Sequence, residues 1–222
     1  MKITKLILTL LTLSLVLTGL AACSKEPGSC DMDKVKAEIN SMKPEDFEET
    51  DAVTEFVKFT VKDHGEFVIR LRSDIAPITV ENFQNLVSAK FYDGITFHRI
   101  VKGFMIQGGD PDGDGSGGSD TVIKGEFSAN GVRNDLSHIT GVISMARLSR
   151  PMDSATSQFF ICNADASRSL DGSYAGFGYV VSGLETVLSV SDVEVTYNLY
   201  SGERSVPVEK VVIEKVCFVN KK

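Results

Sequence analysis

The sequence has no tryptophan, and it has only four cysteines and three histidines among its 222 residues. No two cysteines form a C-x-x-C pair, so neither a zinc ribbon nor a thioredoxin-like redox site is indicated. The strand-to-helix motif G-x-S-x-G is also absent, which argues against a serine hydrolase. Acidic residues (30) outnumber lysines and arginines (23), and no basic cluster occurs, so nucleic acid is not an expected partner.

A stretch rich in glycine and aspartate resembles two binding motifs, but it lacks a feature that each motif requires. Residues 113–118 fit the pattern G-x-G-x-x-G, yet they follow no buried parallel strand. Asp110, Asp112 and Asp114 stand at the first ligand positions of a calcium loop, but its twelfth position is Thr121 instead of glutamate. We therefore interpret the stretch as a surface loop whose glycines adopt positive φ angles, and we expect no metal and no cofactor.

The N-terminus is predicted to be an export signal. Lys2 and Lys5 precede an apolar run that ends Leu20-Ala21-Ala22-Cys23, and the run is too short and wrongly flanked for a membrane-spanning helix. The residues before Cys23 resemble the bacterial lipobox, so we expect cleavage after residues 1–22 and a lipid on the Cys23 thiol. The alternative is a free cysteine beside an ordinary cleavage site. A lipid would make the protein an extracytoplasmic, membrane-anchored lipoprotein, at the cell surface or on the periplasmic face.

The composition changes after the signal. Residues 23–52 are polar and acidic, with proline and glycine breakers, and they predict a lipid-anchored linker. A single domain over residues 53–222 is expected to follow. Three cysteines would remain free of lipid, and two of them, Cys162 and Cys217, lie in apolar runs that indicate small buried hydrophobic residues.

Within the domain, short apolar segments separated by glycines predict a β-rich fold. A hairpin is predicted around residues 63–65, and the apolar spacing after a proline predicts a helix over Pro77–Ser88. Leu184–Val190 predicts a second short helix. Closely spaced short strands with two helices favour a closed antiparallel barrel. The predicted strand segments are 54–62, 66–72, 96–101, 104–107, 142–146, 158–163, 177–181 and 208–219.

Three stretches of the domain follow one another in a distinctive order. The longest is Phe97–Asp110, with the sequence FHRIVKGFMIQGGD. The second comprises residues 144–147 and 153–161, and the third comprises residues 170–172 and 177–178. Together they resemble the cyclophilin family of peptidyl-prolyl cis/trans isomerases. The resemblance covers roughly Thr54 to Val219 and implies a closed eight-stranded antiparallel β-barrel capped by two α-helices. It also implies a shallow groove for proline-containing peptide segments, without a cofactor.

The reaction that the resemblance implies is rotation about X-Pro bonds of exported proteins, which assists their folding. Breaking the C–N conjugation meets a barrier of about 18–20 kcal/mol, and no nucleophile is needed because no bond is made or cut. The family motif places Arg99 and Gln107 as catalytic residues. A fixed cation that donates hydrogen bonds to the twisted amide lowers the barrier selectively. A surface ion pair is the competing interpretation of Arg99.

The resemblance also implies a substrate-binding set. Apolar side chains would hold the proline ring, and small or polar residues would line the groove beside them. For the apolar members the alternative is plain core packing, which we accept for Phe159 because neighbours in a strand face opposite ways. The expected pocket residues are Phe104, Met105, Phe160 and Leu170, and the expected groove residues are Gly115, Ala146, Arg147, Gln158 and Tyr174.

Three positions depart from the family pattern. Ser169 stands where many eukaryotic members have tryptophan, so strong binding of the immunosuppressant cyclosporin is not expected. Tyr174 stands near a common histidine, and Arg147 replaces a common asparagine. None of these changes removes the catalytic pair.

Two functions of other classes stay open at this point. A non-catalytic peptide-binding or chaperone module could use the same groove without Arg99. An extracellular metalloprotein could be built on Asp110–Ser116. A monomer is the expected state in each case.

Overall fold

The structure, a computed structural model, describes residues 26–222, and within this range the chain forms twelve strands and four α-helices. The strands are β1 (Phe47–Glu49), β2 (Phe56–Val61), β3 (Gly65–Leu71), β4 (Thr96–Phe97), β5 (Arg99–Val101), β6 (Met105–Gly108), β7 (Val142–Met145), β8 (Phe159–Cys162), β9 (Gly176–Ser182), β10 (Val195–Tyr197), β11 (Arg204–Pro207) and β12 (Val211–Lys221). The helices are α1 (Met32–Glu38), α2 (Pro77–Ser88), α3 (Ser167–Leu170) and α4 (Leu184–Ser191).

Ten of these strands form one antiparallel sheet. The order is β1-β12-β2-β3-β9-β7-β8-β6-β5, and β4 pairs with β12, while β10 and β11 form a separate hairpin. The expected number of eight strands is therefore too low. The N-terminal segment adds β1 at one edge, and a break at His98 divides one extended stretch into β4 and β5. The mainly antiparallel β fold agrees with the prediction, whereas closure into a barrel stays a prediction.

Helix α2 has the bounds that its sequence predicts. Pro77 occupies the first turn, where its missing N–H costs no hydrogen bond. Val80, Phe83 and Val87 recur at helical spacing and are buried in the main core. The second predicted helix is α4, which ends one residue later than expected. Helix α1 lies where the sequence favours one or two helical turns, near residues 33–42, whereas α3 was not expected.

The N-terminus of α2 is capped from a distant part of the chain. The N-cap residue, Ala76, offers no side-chain hydrogen bond. Instead the buried carboxylate of Glu126 accepts the N–H groups of Ile78 and Thr79 at 3.1 and 2.8 Å. It also accepts the Thr79 hydroxyl at 2.7 Å. A negative charge at a helix N-terminus is favourable both as a hydrogen-bond acceptor and through the helix dipole.

Aromatic side chains fill the core between α2 and the sheet. The rings of Phe59 and Phe67 stack with centroids 4.7 Å apart, and Phe83 meets Phe159 edge-on at 6.0 Å. Phe159 thus packs in the main core, as predicted. The next residue of β8, Phe160, belongs to a separate apolar cluster, because side chains alternate across a strand.

The segment predicted as a linker, residues 23–52, packs on the sheet over the part that the structure describes. Val35 of α1 is fully buried, and β1 pairs with β12. Arg70 of β3 donates a hydrogen bond to Glu38 at 2.8 Å. The folded unit therefore begins earlier than predicted. The sequence pattern missed this because a few scattered apolar residues, without periodicity, make the contacts. We call residues 28–49 the N-terminal strap.

No helix among residues 26–222 combines the length and the apolar character needed to cross a bilayer. The predicted signal, residues 1–22, and the predicted lipid site, Cys23, lie outside the described residues.

Candidate active site

A row of hydrogen bonds joins the side chains of three predicted site residues to the backbone of a fourth, Gly115. Arg99 on β5 lies opposite Gln107 on β6, and its Nη1 donates to Gln107 Oε1 at 3.0 Å. Gln107 Nε2 donates to Gln158 Oε1 at 2.9 Å. Gln158 Nε2 then donates to the carbonyl oxygens of Gly117 and Gly115 at 2.7 and 3.1 Å. The row fixes both amide orientations, because it starts at a group that only donates and ends at groups that only accept.

An apolar cluster separate from the main core lies beside this row. Its buried members are Met105, Phe160, Cys162, Ala166 and Leu170, and its partly buried members are Val101, Phe104, Ala146 and Tyr174. All four predicted pocket residues are therefore together. Met105 joins the cluster to the row, since its Sδ lies 3.7 Å from Arg99 Nη1. A permanent cation thus stands at the edge of a partly exposed apolar surface.

Arg147 is held against this cluster by aromatic rings. Its Nε donates to the Ser173 carbonyl at 2.9 Å. Its guanidinium carbon lies 4.8 Å from the ring centroids of both Phe127 and Tyr174. The Tyr174 ring in turn meets Phe160 edge-on at 5.6 Å. Cation–π contacts of this kind fix the orientation of the arginine.

A surface cavity of about 510 Å³ extends beside the row. Ala146 lines it and also belongs to the apolar cluster, so the two features adjoin. We call the cavity and the apolar cluster together the groove. The predicted site residues that line the cavity are Gln107, Gly115, Ala146, Arg147 and Gln158. All of the predicted catalytic and substrate-binding residues consequently lie in or beside one groove.

The loop rich in glycine and aspartate is organised by its own hydrogen bonds. Asp110 is buried, and its carboxylate accepts the N–H groups of Asp112, Asp114 and Gly115 at 2.9, 3.1 and 2.6 Å. Gly115 has a φ of 95°, a conformation that favours glycine. The loop is the surface turn that the sequence predicts, and it presents the Gly115 carbonyl to Gln158.

A buried histidine packs against Phe160 of the groove, although the sequence indicates no partner for it. The His138 ring stacks on Phe160 with centroids 6.0 Å apart. Its Nδ1 lies 2.8 Å from Asp171 Oδ1, and its Nε2 lies 2.9 Å from Ser144 Oγ. Burial lowers the pKa of His138, against the opposing hydrogen bond and charge of Asp171. The neutral ring donates from Nδ1 and accepts at Nε2. Because Ser144 is fully buried, this trio offers no accessible nucleophile.

The thiols of the described chain show no sign of activation. Cys162 is fully buried in the apolar cluster, and burial raises its pKa to about 12. This agrees with its interpretation as a small hydrophobic residue. Cys217 is half-buried rather than buried, and burial raises its pKa as it does that of Cys30. All three are free cysteines.

One contact of Arg99 comes from outside the predicted set. Glu203, in the turn between β10 and β11, accepts Arg99 Nε at 2.6 Å and Nη2 at 2.8 Å. The hydrogen bond from Arg99 lowers the pKa of Glu203, so this carboxylate is ionised at neutral pH. The two residues are 104 positions apart, and no sequence motif connects them. Arg99 is therefore both a member of an ion pair and part of the groove.

The fold and the groove define a class of protein: a mainly antiparallel β protein with a peptide-sized surface groove, in which a fixed arginine stands beside apolar side chains. Residues 56–217 match the family model described as cyclophilin type peptidyl-prolyl cis-trans isomerase/CLD. The chain belongs to this cyclophilin family, and it is a peptidyl-prolyl cis/trans isomerase.

Individual relatives agree with this assignment. The chain is 38% identical over 166 residues to a peptidyl-prolyl cis-trans isomerase of Acinetobacter baylyi, which covers 70% of this chain and 82% of that protein. It is 39% identical over 137 residues to peptidyl-prolyl cis-trans isomerase B of Bacillus subtilis, with 62% and 91% covered. A crystal structure of a Cryptosporidium parvum cyclophilin type isomerase, in the presence of the dipeptide Ala-Pro, matches with a TM-score of 0.63 and 27% identity, over 73% of this chain and 98% of that chain. The family and the activity predicted from the sequence are confirmed.

Proposed function

We propose that this isomerase accelerates rotation of X-Pro bonds in exported proteins and assists their folding outside the cytoplasm. Uncatalysed isomerisation takes tens to hundreds of seconds, slow enough to limit folding. The observation that carries the proposal is the Arg99 guanidinium, held on two sides at the edge of the apolar cluster.

Arg99 is the proposed catalytic group. Of the five N–H groups of its guanidinium, three donate to Glu203 and Gln107 and a fourth faces the Met105 sulfur, which leaves one free for the substrate. As the amide twists, the prolyl nitrogen becomes pyramidal and gains a lone pair. A permanently charged donor at that nitrogen stabilises the transition state more than the ground state. No proton is transferred and no covalent bond is broken in this mechanism.

Gln107 is the second proposed catalytic residue, as an orienting partner of Arg99 and a hydrogen-bonding group for the substrate backbone. Its Oε1 accepts from Arg99, and its Nε2 is held by Gln158. These bonds support the orienting part of the role, because they hold the amide in one position. Gln158 ties the same row to the glycine loop, where the Gly115 backbone would contact the peptide.

The apolar cluster is the proposed site for the proline ring. A ring held by Phe104, Met105, Phe160 and Leu170 stays still while the preceding carbonyl rotates. Ala146, Arg147 and Tyr174 would line the path of the chain on either side. Proline-containing peptide segments are the proposed partners, and the solved relative studied with the dipeptide Ala-Pro supports this choice.

The proposed location is the outer side of a membrane, with the protein attached as a monomer through lipid on Cys23. The support is the apolar run after Lys2 and Lys5, followed by the Leu-Ala-Ala-Cys sequence. Acyl chains on a terminal cysteine give stable attachment when more than one is present. Cys23→Ser should release the protein from the membrane fraction and abolish labelling by radioactive palmitate.

We also propose that the sheet closes into a barrel. Strand β4 pairs with β12 near one end of the strand order, and after one residue the chain continues as β5 at the other end. This connection supports closure between β12 and the β4–β5 stretch.

The test of the reaction is the cis/trans exchange rate of a short Ala-Pro peptide, measured by NMR with the full chain in a mild detergent. We expect Arg99→Ala to lower kcat/KM by about 10²–10³-fold, as for the loss of a transition-state hydrogen-bond donor. Arg168→Ala is the matched control, since Arg168 is exposed on α3. If the Arg99→Ala variant accelerated exchange as well as the wild type, the proposed catalytic role would be wrong.

A further inference from the structure

The guanidinium of Arg99 is hydrogen-bonded by a carboxylate from a separate hairpin. Glu203 binds it in a two-pronged arrangement, with Oε2 on Nε at 2.6 Å and Oε1 on Nη2 at 2.8 Å. The side chains of Arg99 and Glu203 are each about one-third exposed, at 34% and 36%. Paired hydrogen bonds between an arginine and a carboxylate fix the plane of the guanidinium as well as its position.

The backbone that carries this carboxylate is itself well ordered. The Glu203 carbonyl accepts the Asn198 N–H at 2.8 Å, and the Glu203 N–H donates to Ser201 Oγ at 3.3 Å. The Asn198 side chain accepts the N–H groups of Tyr200 and Ser201. Strands β10 and β11 pair on either side of the turn. The carboxylate is therefore presented by a hydrogen-bonded hairpin rather than by a free loop.

Two partners approach Arg99 from different parts of the chain. Glu203 takes Nε and Nη2, and Gln107 takes Nη1. The Glu203 carboxylate fixes the plane of the guanidinium, and Gln107 binds its third nitrogen, so the two partners together define one orientation. We propose that Glu203 is a positioning residue for the isomerase reaction, which holds the Arg99 guanidinium in the orientation that meets the twisted X-Pro amide.

This inference rests on the proposed catalytic role of Arg99, and it predicts a particular kinetic signature. A flexible arginine would have to become ordered in the transition state, so loss of the two hydrogen bonds to Glu203 would lower kcat. Substrate binding in the ground state depends mainly on the apolar cluster, so KM would change little. The carboxylate also reduces the net positive charge beside the substrate. If that charge effect were dominant, removing Glu203 would raise the activity instead.

The experiment compares Glu203→Ala, Glu203→Gln and Glu209→Ala in the full chain, with the same Ala-Pro exchange assay. Glu209 is the matched control, because it is an exposed glutamate just beyond β11. We expect Glu203→Ala to lower kcat by roughly tenfold or more with KM nearly unchanged. Glu203→Gln keeps one oxygen acceptor and should recover part of the loss, and Glu209→Ala should match the wild type.

A double-mutant cycle separates this inference from the function on which it rests. In an Arg99→Ala background, Glu203→Ala should have no further effect, because its action passes through the missing guanidinium. Equal losses in both backgrounds would overturn the positioning role, and so would an unchanged or raised kcat in Glu203→Ala alone. If Arg99→Ala itself did not reduce the activity, the proposed catalytic role of Arg99 would instead be refuted.

Discussion

The cap that Glu126 places on α2 leads to a quantitative prediction for stability. Its two carboxylate oxygens accept three hydrogen bonds, from the Ile78 N–H, the Thr79 N–H and the Thr79 hydroxyl. In Glu126→Gln one oxygen becomes an NH₂ group, which cannot accept. The best arrangement keeps the remaining oxygen on the two Thr79 donors and leaves the Ile78 N–H facing another donor.

The size of the effect follows from that arrangement. The Ile78–Glu126 hydrogen bond is part-buried, so leaving this donor unsatisfied costs about 1–2 kcal/mol, and replacing charged hydrogen bonds by neutral ones costs about 1 kcal/mol more. Glu126 is only 2% exposed, so water cannot replace the lost acceptor without rearrangement. We therefore expect Glu126→Gln to lower the free energy of unfolding by about 2–3 kcal/mol. For a domain of this size the corresponding fall in Tm is about 5–10 °C.

The assay is urea unfolding followed by circular dichroism, with Glu185→Gln as the matched control. Glu185 also stands in the first turn of a helix, α4, but it is exposed. The control should change the free energy of unfolding by less than about 0.5 kcal/mol. If the two variants had equal stability, the buried carboxylate would not be the cap of α2 that the hydrogen bonds indicate.

Two further predictions concern the strap and the buried histidine. Val35→Ala should lower the free energy of unfolding by about 2 kcal/mol, whereas Val53→Ala, at a position 58% exposed, should have almost no effect. If urea unfolding gave the same loss of free energy of unfolding for both variants, the strap would be a linker that does not stabilise the domain. Because burial lowers the pKa of His138, the unfolded chain gains a proton at a higher pH than the folded chain. Its contribution to stability is thus complete above about pH 6.5 and is lost as the pH falls below that value. An NMR titration of its ring should give a midpoint below 6.5, and a midpoint above 6.5 would contradict the burial argument.

The parts of the structure that follow from local pattern were predictable from the sequence. The bounds of α2 came from one proline and the spacing of Val80, Phe83 and Val87. Side chains alternate in a strand, and this alternation predicted that Phe159 and Phe160 lie on opposite sides of β8. The grouping of the pocket residues in one cluster was implied by the family motif.

The parts that depend on distant contacts were not predictable in this way. Arg99 and Glu203 meet across 104 positions, and the hairpin that brings them together has no characteristic motif. His138 is held by Asp171, which lies in another loop. The strap is stabilised by contacts with strands that occur much later in the sequence. Such contacts leave no periodicity, because each involves a single residue on either side.

The strap also sets the length of the tether for a protein that is acylated at Cys23. Gly28 is already fixed to the domain, since its N–H donates to the Asp74 carbonyl and its carbonyl accepts the Asp135 N–H. The chain from Cys23 to Gly28 can span at most about 18 Å when fully extended. A flexible coil over the whole predicted linker would instead have a root-mean-square length of about 30 Å. In such an acylated protein the domain would be confined to a thin layer above the lipid headgroups, and a peptide segment would have to come to the bilayer surface to reach the groove.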